Sequence, residues 1–209
     1  MTTVSESSPV GEVAPSSSER IRDAALANFA LNGTASTSLR AVAATAGVSL
    51  GMVQHHFATK SSLIKAVDDY VMSLLIGAMS QPIPEPPADS IADIGSRVTG
   101  LIANYPDVAA YLSRAMVDGS PLGVTLFDAL MDVGMARWEL RAERGELRPD
   151  VDLTWATINA MVLAVGGISL RAHVNRHLSE PLTSPNQLRR WQAATDDLLR
   201  EGLIKRTDD

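Results

Sequence analysis

The part of this chain best suited to act on another molecule lies between residues 37 and 60. Ser49, Gly51, Met52, Gln54 and His55 fall on the outward side of one short stretch, in which Leu50, Val53 and Phe57 recur inward at i, i+3 and i+7. A glutamine amide offers a donor and an acceptor side by side and so matches the major-groove edge of adenine; a methionine methyl suits the methyl of thymine. Just upstream, Leu39, Val42, Ala43 and Ala46 sit at i, i+3, i+4 and i+7, and Gly47 stands where a left-handed turn residue is needed. Helix, tight glycine turn, helix is the geometry in which a first helix braces a second and the second enters a major groove. Small residues at the crossing (Ala43, Ala46) and at the start of the second helix (Ser49, Gly51) meet its requirements. A plain helical hairpin with no DNA role carries the same pattern, so both readings stand at this level.

Other chemistries find less support. The chain has no cysteine, which removes disulfides, thiolate zinc sites and cysteine nucleophiles. His173 and His177 share a helical face at i, i+4 and could seat a metal; with no third ligand near them, a solvated helix end is the better reading. No nucleophile stands beside a base and no glycine-rich phosphate loop occurs, so neither an enzyme nor a cofactor is expected. A net charge of −6 hides an asymmetry. Residues 16–66 carry Arg20, Arg22, Arg40, Lys60 and Lys65 against Glu19 and Asp23, and the remainder carries 13 basic against 22 acidic residues. One end is thus suited to phosphate and the other is not. No apolar run is long enough for a bilayer and the N-terminus lacks a basic-then-apolar signature, so the expectation is a cytoplasmic protein with no membrane partner.

The elements that must position these residues are helices throughout. Residues 1–18, rich in Ser, Pro, Val and Glu, read as a disordered tail. Ile21, Ala25 and Phe29 mark a first helix that stops at Gly33. Thr37 is a candidate N-cap for the second helix, Ser49 for the third and Thr59 for a long fourth helix from Lys60 to about Ser80. Four prolines between Pro82 and Pro87 then force a linker or corner. Five further helices are expected near 90–104, 106–117, 121–144, 153–178 and 185–204, with Pro106 and Pro121 in first turns.

The segment from Arg20 to Leu63 resembles the DNA-binding domain of the tetracycline-repressor (TetR) family of bacterial regulators. Ile21, Ala25, Phe29, Gly33, Thr37, Ala43, Ala46, Gly47, Val48, Ser49, Gly51, His56, Phe57, Lys60 and Leu63 match at the family's spacing without a gap. The resemblance implies an all-α chain: a three-helix DNA-binding domain over 19–66, and a helical ligand-binding and dimerisation domain over 67–209. It implies that Thr37 and Lys60 contact phosphates, that Gly51 lets the recognition helix approach closely, and that His56 and Phe57 pack the small domain. Ser38, Arg40, Ser49, Leu50, Gln54 and His55 complete the expected DNA-facing set. Gln54 departs from the family, which most often has a tyrosine there that touches the backbone.

For the remainder the resemblance implies a sequence-specific regulator, a repressor released from operator DNA by a small-molecule ligand. The alternative is a helical adaptor or ligand-binding protein with no DNA role. A homodimer is expected through a stripe of small residues, Ala156, Ala160, Ala164 and Gly167, that lets helices approach closely. Tyr111, Met116, Phe127, Met131, Met135, Trp138, Trp155 and Met161 are the candidate pocket residues. The acidic balance of this part favours an apolar or cationic ligand.

Overall fold

The computed structural model describes residues 14–79, 81, 82, 84 and 90–204. Among the described residues ten α-helices follow one another: α1 (Ser17–Asn32), α2 (Leu39–Ala46), α3 (Leu50–His56), α4 (Lys60–Met79), α5 (Ser90–Asn104), α6 (Pro106–Val117), α7 (Pro121–Glu143), α8 (Leu153–Ser169), α9 (Arg171–Val174) and α10 (Pro185–Leu203). A 3-10 turn, Asn175–His177, extends α9. Among the described residues the β pairing amounts to one antiparallel bridge, Leu147 with Ile204.

Local chemistry sets the helix ends. Ser16 and Glu19 cap each other at the start of α1, so α1 begins earlier than the 1–18 tail allowed. The rest of that tail, residues 1–13, lies outside the described residues. Gly47 ends α2 at φ 65°, and the Val48 amide donates back to the Ala43 carbonyl at 3.0 Å, a Schellman closure that only glycine enters without strain. Thr59 and Ser62 cap α4 reciprocally, each amide donating to the other's hydroxyl, at 3.0 and 3.2 Å.

One expected helix is two. The 153–178 stretch breaks at Leu170 (φ −93°, ψ 7°), and the pieces meet at 65°. Gly166 and Gly167 weaken the helix just before the break. Ser169 is held by Ser113 at 2.6 Å, and Arg171 donates to the Ile168 carbonyl at 3.2 Å, satisfying an acceptor that the missing turn leaves open. His173 and His177 therefore do not share one continuous α-helical face, and both are exposed. Among the described residues no group of three potential ligands could hold a metal.

The largest core runs from the small N-terminal unit into the body. Ile21, Phe29, Val42, Val53, Leu63, Val67 and Val71 are continuous with Tyr111 and Leu126. The 66/67 divide thus falls inside α4, which serves both parts. Two smaller clusters finish the body, one around Trp138 and Ala156, the other around Ile102 and Ile168. No single helix among the described residues is long and apolar enough to cross a membrane.

Candidate DNA-binding face and candidate ligand cavity

Helix α3 is anchored from one side and open on the other. Val53 is fully buried and Phe57 packs against the same core, which fixes the helix on α1 and α2. Ser49 caps it by accepting the Met52 amide at 3.2 Å. Gly51, Met52, Gln54, His55 and His56 are exposed and Leu50 is half-buried. A Cβ on Gly51 would meet only the Ser49 hydroxyl, at 3.8 Å, so nothing in the chain itself requires glycine there. What glycine leaves is a low surface for something outside. Among the described residues the Gln54 amide makes no hydrogen bond, and both of its polar ends remain available.

Two expectations about this face are corrected. Thr37 is 3% exposed, and its hydroxyl donates inward to the carbonyls of Gly33 (2.8 Å) and Asn28 (3.3 Å). It ties α1 to α2, and its hydroxyl is not presented to a phosphate. Ser38 is the true cap of α2, accepting the Ala41 amide at 3.1 Å from an exposed position beside Arg40. His56 is exposed and not a core histidine; its ring stacks edge-on against His55, 5.4 Å between centroids. Lys60 flanks the face, with its ammonium on the Ala35 carbonyl at 3.1 Å. Sequence reasoning missed the braces behind these residues: Arg20 donates to the Ala46 carbonyl and Asn28 to Thr45.

A cavity of about 220 Å³ lies in the body. Its walls come from α4 (Leu75, Met79), α5, α6, α7, α8 and, at Leu199, α10. Of the expected pocket residues, Met116, Trp138 and Met161 border it. The other five lie elsewhere. Phe127 and Trp155 face outward, 37% and 59% exposed. Met131 is half-buried outside the cavity lining, and the Met135 sulfur accepts from Thr157 at 3.5 Å. Tyr111 is buried between α1 and α4, its ring 6.3 Å from Phe29 and its hydroxyl donating to Asp68 at 2.7 Å. Burial, then the hydrogen bond to Asp68, push the Tyr111 hydroxyl well above its ordinary pKa.

Helical spacing could identify small residues but not the side they faced. Ala156 is buried beside Trp138, Ala160 and Ala164 border the cavity, and a Cβ on Gly167 would lie 2.8 Å from Trp191 of α10. The stripe packs within the chain, because close helix approach serves the cavity walls and the α8–α10 contact. The opposite side of α8 carries exposed Trp155 and Val162 (58%), and α10 adds Leu198 (65%). The cavity also has a basic wall that the sequence reading passed over, Arg137, Arg141 and Arg144. Their i, i+4, i+7 spacing along α7 and its C-cap is a signal that one helical wheel would have exposed.

Fold and site define a helix-turn-helix protein with a cavity-bearing helical body. Residues 21–67 match the family described as "Bacterial regulatory proteins, tetR family". RaaS, an HTH-type transcriptional regulatory protein of Mycobacterium tuberculosis, is 31% identical over 134 residues, 64% of this chain and 60% of its own. An HTH-type transcriptional repressor of the same organism is 34% identical over 103 residues, 49% of this chain and 48% of its own. The matches thus span about half to three fifths of these relatives. The fold is similar to that of SmeT, the repressor of the Stenotrophomonas maltophilia efflux pump SmeDEF (TM-score 0.67, 20% identity, 91% of each chain). It is also similar to that of the ketosteroid regulator KstR2 of Mycobacterium tuberculosis (TM-score 0.67, 17% identity, 94% of this chain and 98% of that one). Residues 21–67 are thus similar to the DNA-binding segment of the tetR family of bacterial regulatory proteins, and the whole chain shares the fold of solved regulators.

Proposed function

We propose that this chain is a cytoplasmic, ligand-responsive transcriptional repressor that binds operator DNA as a homodimer. The observation that carries the reading is α3: a helix locked by Val53 and Phe57 yet exposing Gly51, Gln54 and His55, flanked by Ser38, Arg40 and Lys60. Residues 19–66 form the DNA-reading unit and 67–209 the sensor and dimer unit, with α4 common to both. The dimer face is the apolar side of α8 and α10, with Trp155, Val162 and Leu198. A twofold dimer places two recognition helices in successive major grooves, about 34–36 Å apart, on a palindromic site. The apolar cavity supplies the effector site, since a ligand shifts the DNA-binding equilibrium only through differential affinity for two states. A gel-shift titration on DNA upstream of its own gene tests the reading. Shifted complexes that survive excess random DNA support it. Equal retention of operator and random DNA, or none, refutes it.

A further inference from the structure

The cavity is lined by apolar side chains, by Ser113 and Thr157, whose hydroxyls bond within the chain, and by one charged wall, Arg137 and Arg141 of α7 with its C-cap Arg144. A guanidinium taken out of water needs a close, hydrogen-bonded counter-charge. Two carboxylates approach this wall. Glu146 lies 3.3 Å from Arg141 and 4.0 Å from Arg144. Asp93 lies 2.8 Å from Arg97 and 4.0 Å from Arg137. Arg97 holds the nearer place on Asp93 and also donates to the Gln81 and Pro82 carbonyls. Arg137 has the long contact alone among the described residues, although its side chain is only 13% exposed. Burial, with Arg97 behind it, pulls the Arg137 guanidinium below its ordinary pKa; Asp93 pulls the other way and Arg141 adds to the depression. At Arg137 the wall therefore carries a desolvated cation with no close partner among the described residues, bordering an apolar hollow.

We propose that the cavity takes an amphipathic anion, with its apolar body among side chains such as Ile94, Val98, Leu112 and Met161 and its acidic head on Arg137. This rests on reading the cavity as the effector site, and it reverses the expectation of an apolar or cationic ligand. The body's net acidity resides on other surfaces and does not set the charge of this wall. A carboxylate and a phosphate head share the required chemistry, since a guanidinium fork accepts either.

The test is calorimetric titration of the full chain, without DNA, using decanoate, decyl phosphate, decanol and decyltrimethylammonium below their micellar concentrations. At least one of the two acids is expected to bind about tenfold or more tighter than decanol, the scale of one charge-assisted hydrogen bond. The pair of acids then tells a carboxylate source from a phosphate source. Arg137→Gln is expected to erase the preference and Arg137→Lys to keep most of it. If Arg137→Gln fails to fold by circular dichroism, the wild-type ranking and Arg137→Lys decide. Decanol or the cation binding as well as the acids, no binding by any probe, or an unchanged preference in folded Arg137→Gln would overturn the proposal. Because no DNA is present, that failure leaves operator binding standing, and a failed gel shift leaves this result standing.

Discussion

Gly167→Leu and Trp155→Glu act on opposite sides of α8 and separate packing from assembly. A Cβ at Gly167 would sit 2.8 Å from Cζ2 and 3.2 Å from Cε2 of Trp191, which itself packs on the Ile102–Ile168 cluster. Forcing a leucine there costs about 1–3 kcal/mol of overpacking, of which better helix propensity returns up to about 1 kcal/mol. Taking the middle of that range, a net of about 1–2 kcal/mol, and roughly 2–4 °C per kcal/mol for a chain of this size, the melting temperature falls by about 2–8 °C. Trp155 is 59% exposed. Covering that surface in a dimer removes on the order of 120 Å² of indole from water, worth about 3 kcal/mol per protomer. Trp155→Glu is therefore expected to raise the dimer Kd by at least about a hundredfold. Sedimentation velocity over a dilution series reads the assembly and thermal melting reads the packing. Losing a dimer also lowers the melting point by mass action, so Gly167→Leu is compared within the monomeric Trp155→Glu background as well. A monomeric Gly167→Leu protein with an unchanged melting point, beside a dimeric Trp155→Glu protein, would refute the assignment of the two faces.

Two more outcomes follow from side chains already placed. Gln54→Ala is expected to cost about 1–3 kcal/mol on the operator and little on random DNA, whereas Lys60→Ala weakens both and lowers the salt slope by about one per half-site. Equal losses in competition gel shifts for Gln54→Ala would show that Gln54 touches only the backbone. Burial holds the Asp68 carboxyl above the usual aspartate range, with the Tyr111 hydroxyl opposing, Asp69 adding to the rise and Lys65 opposing it. A raised folded pKa contributes stability below the unfolded value that is lost as pH rises through the folded one. Asp68→Asn, which keeps an acceptor for Tyr111, is thus expected to gain stability relative to wild type as pH climbs from the acid side of the aspartate range to neutrality. A pH-independent difference between their melting curves would contradict it.

The helices were legible because their evidence is local. Apolar spacing gave α1 to α4, and prolines at first turns gave α6, α7 and α10 their starts. What failed needed knowledge of the other side of each residue. Thr37 and Ser38 are both good caps, and only the Gly33 and Asn28 carbonyls decide that Thr37 turns inward. Ala156, Ala160, Ala164 and Gly167 suit a partner helix whether it belongs to the same chain or another. Leu170 and Arg171 carry no breaking signal; the bend there depends on Ser113, 56 residues away from Ser169. The arginines of α7 were visible as a spaced trio, but their meaning depends on a hollow that no local pattern reveals.

The Tyr111–Asp68 bond has a mechanical consequence. It fastens α4 to α6 at a point eight residues from Lys60 and eleven from Met79. At 1.5 Å per residue these arms are about 12 and 16 Å long. A stiff rod pinned at such a fulcrum behaves as a seesaw. Were α4 to pivot there, a displacement of Met79 at the cavity would return at Lys60 reversed in direction and about three quarters as large. An occupant that swells the cavity and one that draws its walls together would then tilt the Lys60 end in opposite senses about the same point.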